Sequence, residues 1–466
     1  MEEFLQKAQT LLQQMVDSRD APTIVVARRL RDLAIVLDRL SLSAECVLVS
    51  HCALNLTSAI APWSLELQLQ YAETLALIAK LSPYQPHART LFLRAISLCE
   101  KVVAKDGSHS NKKSLLGILD RAGYWSTEHP DLGVQWLGQA IRIMTTELPS
   151  VMVNDYTRSR IYLYHGNRLS GLGRLSEAVA VGQTAISLGR ALSGRNPVKG
   201  KEILSSALFD LGNTLRELRQ YEDSATAFKE ALELDRSLLS QDPKSNNYTY
   251  NYTSTLVNYG DILFRTNQVA IAVELHQEAV ARLSDLVQMD AKYSVHLCRA
   301  LGSYGKDCYR LGRHSEAILA YEECISLARS LGEGGSTKSQ IDLIHSLHRM
   351  ANSLDILGRK SEAEAAASEF FQRNDGKPHK HCKVTTRNRK CFVCGRLGPS
   401  REAASPVVQN GFVLVPSPSQ PTQPCALPVA TSLEVSQSDR LMEHPETFHF
   451  LGEKGKAPKW FKRAFG

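Results

Sequence analysis

Residues 211–231 read LGNTLRELRQYEDSATAFKEA, and residues 304–324 read YGKDCYRLGRHSEAILAYEEC. In both, a glycine (Gly212, Gly305) precedes a small residue (Ser224, Ala317) by 12 positions. An aromatic follows 4 later (Phe228, Tyr321), and another small residue 3 after that (Ala231, Cys324). The frame recurs at Gly166 with Ala178 and Ala185, at Gly260 with Ala272 and Ala279, and at Ala351 with Ala363, where Phe370 takes the last place. Upstream it fits Arg121 with Gly133 and Ala140, Ala76 with Ala88, Phe92 and Ala95, and more loosely Ala34 with Cys46 and Ala53. The anchors 34, 76, 121, 166, 212, 260, 305 and 351 stand 42–48 residues apart.

Such a pattern is that of repeated helical hairpins. Two antiparallel helices approach closely only where small side chains face each other, and large apolar residues fill the space between pairs. Leu172-Gly173-Arg174, Leu311-Gly312-Arg313 and Leu357-Gly358-Arg359 mark the turn, because glycine after a helix takes positive φ without steric cost. Ser176-Glu177, Ser315-Glu316 and Ser361-Glu362 are expected to open the next helix with a capping hydroxyl and an early acid. Asn196-Pro197, Asp242-Pro243 and Gly332-Glu333-Gly334-Gly335 separate successive hairpins.

These residues resemble the tetratricopeptide repeat over about residues 20–375, most closely at Gly212, Tyr221, Phe228 and Ala231 and at Gly305, Ala317 and Tyr321. The period departs from the usual unit of about 34 residues. It is similar to the long repeats of the kinesin light chain type and to the arms that follow nucleotide-switch domains in fungal and bacterial sensors. The alternative is another hairpin array, such as HEAT repeats. The resemblance implies an all-α, right-handed solenoid of antiparallel helix pairs, and the Pro- and Ser-rich composition further on implies a largely disordered C-terminal tail. The expected divisions are a cap at 1–20, divergent repeats at 21–150, five clearer repeats at 151–375, a basic Cys/His segment at 376–399, a disordered linker at 400–445 and a basic aromatic end at 446–466.

The family's first helices line a concave, peptide-binding face, and the resemblance carries that role to Asn167, Asn213, Lys306 and Asn352, with Asp261 beside them. Arg216 and Tyr309 lie one turn away, and Asn258 and Arg299 lie on neighbouring first helices. Two readings stay open for the asparagines: they line a groove, or they bridge helices within the stack. Asn213, Asn258 and Arg299 also match three places of the family's carboxylate clamp. Phe209 and Ser303 stand where two of its basic residues belong, so that clamp is incomplete.

Composition agrees with a folded chain: 43% of the 466 residues are hydrophobic and 22% charged. No apolar run reaches 18 residues, so no membrane span is expected. The first twenty residues lack the pattern of a signal peptide, which points to the cytoplasm and to reduced cysteines. From residue 376 onward there are 14 Lys and Arg against 6 Asp and Glu, whereas residues 1–375 hold 41 against 42. The basic stretch Lys377, Lys380, Lys383, Arg387, Arg389, Lys390 and Arg396 could serve nuclear import. It carries one stacking ring, Phe392, so nucleic acid is not the expected partner.

His381, Cys382, Cys391 and Cys394 are either a small tetrahedral zinc site or reduced residues in a basic linker, and no other cofactor is expected. A zinc knuckle would need His and Cys where Pro399 and Ala404 stand. Trp460, Phe461 and Phe465 share one helical side and suit a protein partner or a membrane surface. No nucleophile elbow, metalloprotease motif or phosphate loop occurs. The expectation is a non-enzymatic scaffold or adaptor for a protein or peptide. Its alternatives are a sensor arm without its switch domain and a nucleic-acid-associated protein acting through the basic tail.

Overall fold

The computed structural model describes residues 29–35, 49–50, 64–81, 85–331, 337–374 and Val393. Fourteen α-helices follow one another in this part: α1 (Leu65–Leu81), α2 (Gln85–Lys105), α3 (His109–Trp125), α4 (Pro130–Arg142), α5 (Asp155–Gly171), α6 (Leu175–Arg195) and α7 (Pro197–Glu217). They continue as α8 (Tyr221–Gln241), α9 (Asn246–Arg265), α10 (Val269–Met289), α11 (Ser294–Arg310), α12 (His314–Ser330), α13 (Thr337–Ile356) and α14 (Lys360–Arg373). Residues 29–35 are helical as well, and Arg31 pairs with Glu73 of α1 at 2.8 Å. Among the described residues there is no strand. Cys46 and Ala53 of the first repeat, the 332–336 link, the 1–20 cap, the 400–445 linker and the expected disordered tail lie outside the described residues.

The helices form antiparallel pairs, and each packs on the next along the chain. The first helices α1, α3, α5, α7, α9, α11 and α13 also touch one another in an unbroken row. No comparable packing links successive second helices, so the first helices occupy the tighter, inner side of the stack. The row runs across the passage from divergent to clearer repeats. There Arg168 of α5 reaches back to α3, donating from Nε to the Gly123 carbonyl (3.2 Å) and from Nη2 to that of Tyr124 (2.8 Å). The Gly123 carbonyl also accepts from the Ser126 hydroxyl (2.8 Å), and the guanidinium supplies donors to both helix-end carbonyls.

The small residues of the frame hold the pairs together differently from the expectation. At Gly212 an added Cβ would lie 2.9 Å from Cζ of Phe228, and at Gly305 it would lie 2.6 Å from Cε1 of Tyr321. Each glycine therefore receives the ring of its own second helix rather than a bare backbone, and both rings are fully buried. The hydroxyl of Ser224 closes the same crossing by donating to the Gly212 carbonyl at 2.7 Å. In the next pair the ring is polar: His276 lies over Gly260, with Nε2 only 2.6 Å from an added Cβ. Its burial is offset because Nε2 donates to the Val257 carbonyl (3.1 Å) while Nδ1 meets the Asp307 carboxylate (2.5 Å). At Gly166 the opposing residue is Gly182, and nothing approaches an added Cβ nearer than 3.5 Å.

Gly173, Gly312 and Gly358 end α5, α11 and α13 at φ 73°, 78° and 79°, as their Leu-Gly-Arg setting predicts. The following residue bonds back five places in each, for example Arg174 N–H to the Leu169 carbonyl at 3.0 Å. The serines do not cap the next helices. The cap positions are Arg174, Arg313 and Arg359, which make no side-chain capping bond. Ser176, Ser315 and Ser361 instead lie inside the first turn, and Arg174 and Arg359 fork onto Glu177 and Glu362. The same turn occurs after α7 and α9 without glycine, with Arg219 at φ 62° and Asn267 at φ 66°. Asparagine tolerates this conformation, whereas arginine meets the steric cost of its Cβ. Arg219→Gly should therefore raise stability by about 0.5–1 kcal/mol, measured as a higher urea midpoint, while Gly312→Ala should lower it by a similar amount. An unchanged or lower midpoint for Arg219→Gly would show that this turn carries no strain.

Candidate functional site

The inner sides of α7, α9 and α11, with Leu283 of α10, line an open cavity of about 300 Å³. Asn213 and Arg216 line it from α7, Asn258 from α9 and Arg299 from α11. The structure thus brings together four of the groove residues named from sequence. The rest of the lining includes Phe209, Tyr250, Val257, Leu283 and His296, which sequence reasoning did not select as groove residues. Phe209 packs edge-on against Phe228 (5.7 Å between centroids), and Tyr250 packs edge-on against His296 (4.7 Å) with its hydroxyl 3.2 Å from Nε2. The cavity wall is therefore anchored in the ring packing that closes the helix pairs.

The polar centre is Asn258, which is 3% exposed. Its Oδ1 accepts from Arg216 Nη1 at 3.0 Å and from Arg299 Nη2 at 2.9 Å, while its Nδ2 donates to the Ser254 carbonyl at 2.8 Å. Two guanidinium nitrogens on one neutral oxygen sit within about 6 Å of each other. At an effective dielectric of about 20, two unit charges at that distance repel by roughly 3 kcal/mol. Burial lowers the Arg216 pKa, and the Arg299 charge lowers it further.

The nearest carboxylate is Asp261, held by Lys306 Nζ at 2.6 Å, by the Ser303 hydroxyl at 3.2 Å and by Arg299 Nη2 at 3.4 Å. Burial pushes its pKa up, but Lys306, His276 and Arg299 override this and hold it far below the usual carboxylate range. Lys306, whose ammonium also lies 4.5 Å from the Phe264 ring centroid, belongs to this ion pair at the edge of the cavity.

The other sequence-named residues lie along the row, away from the cavity lining. Asn167 bridges α5 and α7, donating to Asp210 at 3.1 Å and accepting from Arg168 at 2.7 Å. Asn352 donates to the carbonyl four residues before, that of His348 (2.6 Å), and Asn213 in the lining does the same to Phe209 (3.0 Å). Tyr309 stacks edge-on with His314 at 5.3 Å. His381, Cys382, Cys391 and Cys394, like Trp460, Phe461 and Phe465, lie outside the described residues. Among the described residues, no group of three or more His, Cys, Asp or Glu is placed to hold a metal, and no helix is long and apolar enough to cross a membrane.

Paired helices, a row of first helices and a lined inner face define a repeat scaffold. Residues 205–238 and 299–331 match the tetratricopeptide repeat. These two stretches of the chain are tetratricopeptide repeats. No curated protein matches its sequence. Among solved structures, the apo form of RapI is 9% identical, covers 75% of this chain and 93% of its own length, and superposes with a TM-score of 0.53. It shares the fold. A Rap protein complexed with Competence and Sporulation Factor is 11% identical over 76% of this chain and 98% of its own, with a TM-score of 0.43. The nearly identical TPR-like repeats from Podosopora anserina are 15% identical over 48% and 97%, with a TM-score of 0.35.

Asp210, the partner of Asn167, has its carboxyl pushed up to about 6 from 3.8, because burial outweighs the Asn167 hydrogen bond and the Arg168 charge. A carboxyl raised in this way binds its proton more tightly in the folded chain. It favours folding below about pH 4, and that contribution is lost as the pH rises through 6. The stability of Asp210→Asn relative to the parent should therefore increase from pH 4 to pH 7, read by thermal unfolding at fixed ionic strength. A difference that does not change with pH would contradict this account of Asp210.

Proposed function

We propose that this protein is a non-enzymatic interaction scaffold that holds a peptide segment of a protein partner along its inner face, centred between α7, α9 and α11. The tetratricopeptide fold is typically such a scaffold. The observation that carries the reading is the cavity itself, in which three consecutive first helices present rings, aliphatic side chains and two guanidiniums at one place. Three helices at the usual 8–10 Å spacing span roughly 20 Å, the reach of about six extended residues. The lining is mostly polar, with Phe209, Val257 and Leu283 as its apolar part, and suits a polar or charged side chain that anchors such a segment. The carboxylate clamp is not the means of capture, since Phe209 forms part of the apolar wall and Ser303 is engaged with Asp261. The nucleic-acid and sensor-arm alternatives draw no support from the geometry of this face.

The reading is tested by photo-cross-linking in the full chain. A p-benzoylphenylalanine at Phe209 should label discrete partner proteins, whereas the same group at Leu319, which is 66% exposed on α12, should not. Equal labelling from Leu319, or labelling from Leu319 alone, would place recognition elsewhere.

A further inference from the structure

The charges around Asn258 do not balance. Arg216 makes a single hydrogen bond among the described residues, from Nη1, and both hydrogen bonds of Arg299 leave from Nη2. The Nε and the remaining terminal nitrogen of each guanidinium have no protein partner among the described residues. The charged groups that act on Arg216 are the cations Arg299 and Arg265 and the carboxylates Asp261 and Glu217. Asp261 is already taken by Lys306 at 2.6 Å. Of the groups that touch one another here, Arg216, Arg299 and Lys306 are three cations against one carboxylate, Asp261, leaving an excess of two positive charges. The acceptor that Arg216 and Arg299 share is a neutral amide. Cations gathered on a neutral buried oxygen, with unused donors beside an open cavity, need an anion to complete them.

We infer that this cavity binds a doubly charged phosphoryl group, carried by a phosphorylated residue of the partner peptide. A phosphate monoester brings nearly two negative charges at neutral pH and three acceptor oxygens. That charge matches the excess, and the oxygens match the spare donors of two forked side chains. A carboxylate would neutralise only one of the two. Phe209, Val257 and Leu283 line the same cavity and give the residue that bears the phosphate an apolar seat. The inference rests on the reading of the inner face as the peptide groove and adds the chemistry of what enters it.

The test uses the full chain, immobilised and panned against degenerate nonapeptide libraries with a central phosphoserine, serine or aspartate. Enriched sequences are then titrated by calorimetry. The phosphoserine form should bind at least tenfold more tightly than its serine and aspartate counterparts, and phenyl phosphate should compete where benzoate does not. Arg216→Gln and Arg299→Gln should each weaken binding tenfold or more while helicity and melting temperature hold. The lysine variants at both positions, which keep the charge but lose the fork, should fall between. Aspartate peptides that bind within twofold of the phosphorylated ones would overturn the inference. So would phosphopeptide binding that survives both glutamine variants. Neither result alters the contrast between cross-linking from Phe209 and from Leu319, so failure of the phosphate reading is distinguishable from failure of the groove. If no peptide of any library is enriched and Phe209 labels nothing, both fall together.

Discussion

A ring from one helix lying on a glycine of its partner sets the geometry from which the rest of this protein follows. Phe228 on Gly212, His276 on Gly260 and Tyr321 on Gly305 leave no room for a Cβ. A buried aromatic of this kind contributes roughly 1.5–3 kcal/mol through the surface it removes from water. Repetition multiplies that contribution, because each pair is stabilised chiefly by itself and its neighbours. The crossing also tolerates a polar ring where both nitrogens find partners. His276 shows this by spanning α9 to α11 through Val257 and Asp307.

Close pairing draws the first helices into a contacting row, and the row converts single polar residues into a connected surface. Asn258 accepts from the helix before and the helix after, so its position depends on three consecutive repeats rather than on its own. Asp261 does similar work at the edge, where Lys306, His276 and Arg299 hold its carboxyl far below the usual carboxylate range despite burial. A surface built in this way is preorganised. A peptide that binds it need not be offset against the ordering of those side chains.

Much of this was legible in the sequence. The spacing from Gly212 to Ser224 and Phe228 is a direct imprint of the crossing, and the anchors at 76, 121, 166, 212, 260, 305 and 351 all fall on first helices. The polar residues next to the anchors were legible as candidates, but their destinations were not. Asn213 and Asn352 turn back onto their own helices, Asn167 bridges to Asp210, and Asp261 is consumed by Lys306. The last two outcomes depend on which partner stands about 45 residues away, and a local pattern does not contain that information. Phe209, Tyr250 and His296 were passed over for the related reason that an aromatic on a repeat helix looks like core until its neighbours are placed. The turns after α7 and α9 carry no glycine, so their positive φ at Arg219 and Asn267 had no sequence signal beyond their repeat position. Serine next to glutamate looked like a cap, yet the helix begins one residue before it.

The central claim is that glycine and ring form one interlocking contact. A double-mutant cycle on Gly212 and Phe228, read by urea unfolding, tests it most directly. The contact predicts that Gly212→Ala is destabilising by about 1–3 kcal/mol in the parent, because the ring must shift to admit a methyl group. In a Phe228→Ala background the same change should cost far less, giving a coupling of at least about 1 kcal/mol. Additive effects of the two substitutions would mean that the ring does not rest on the glycine, and the account of how the pairs close would fail.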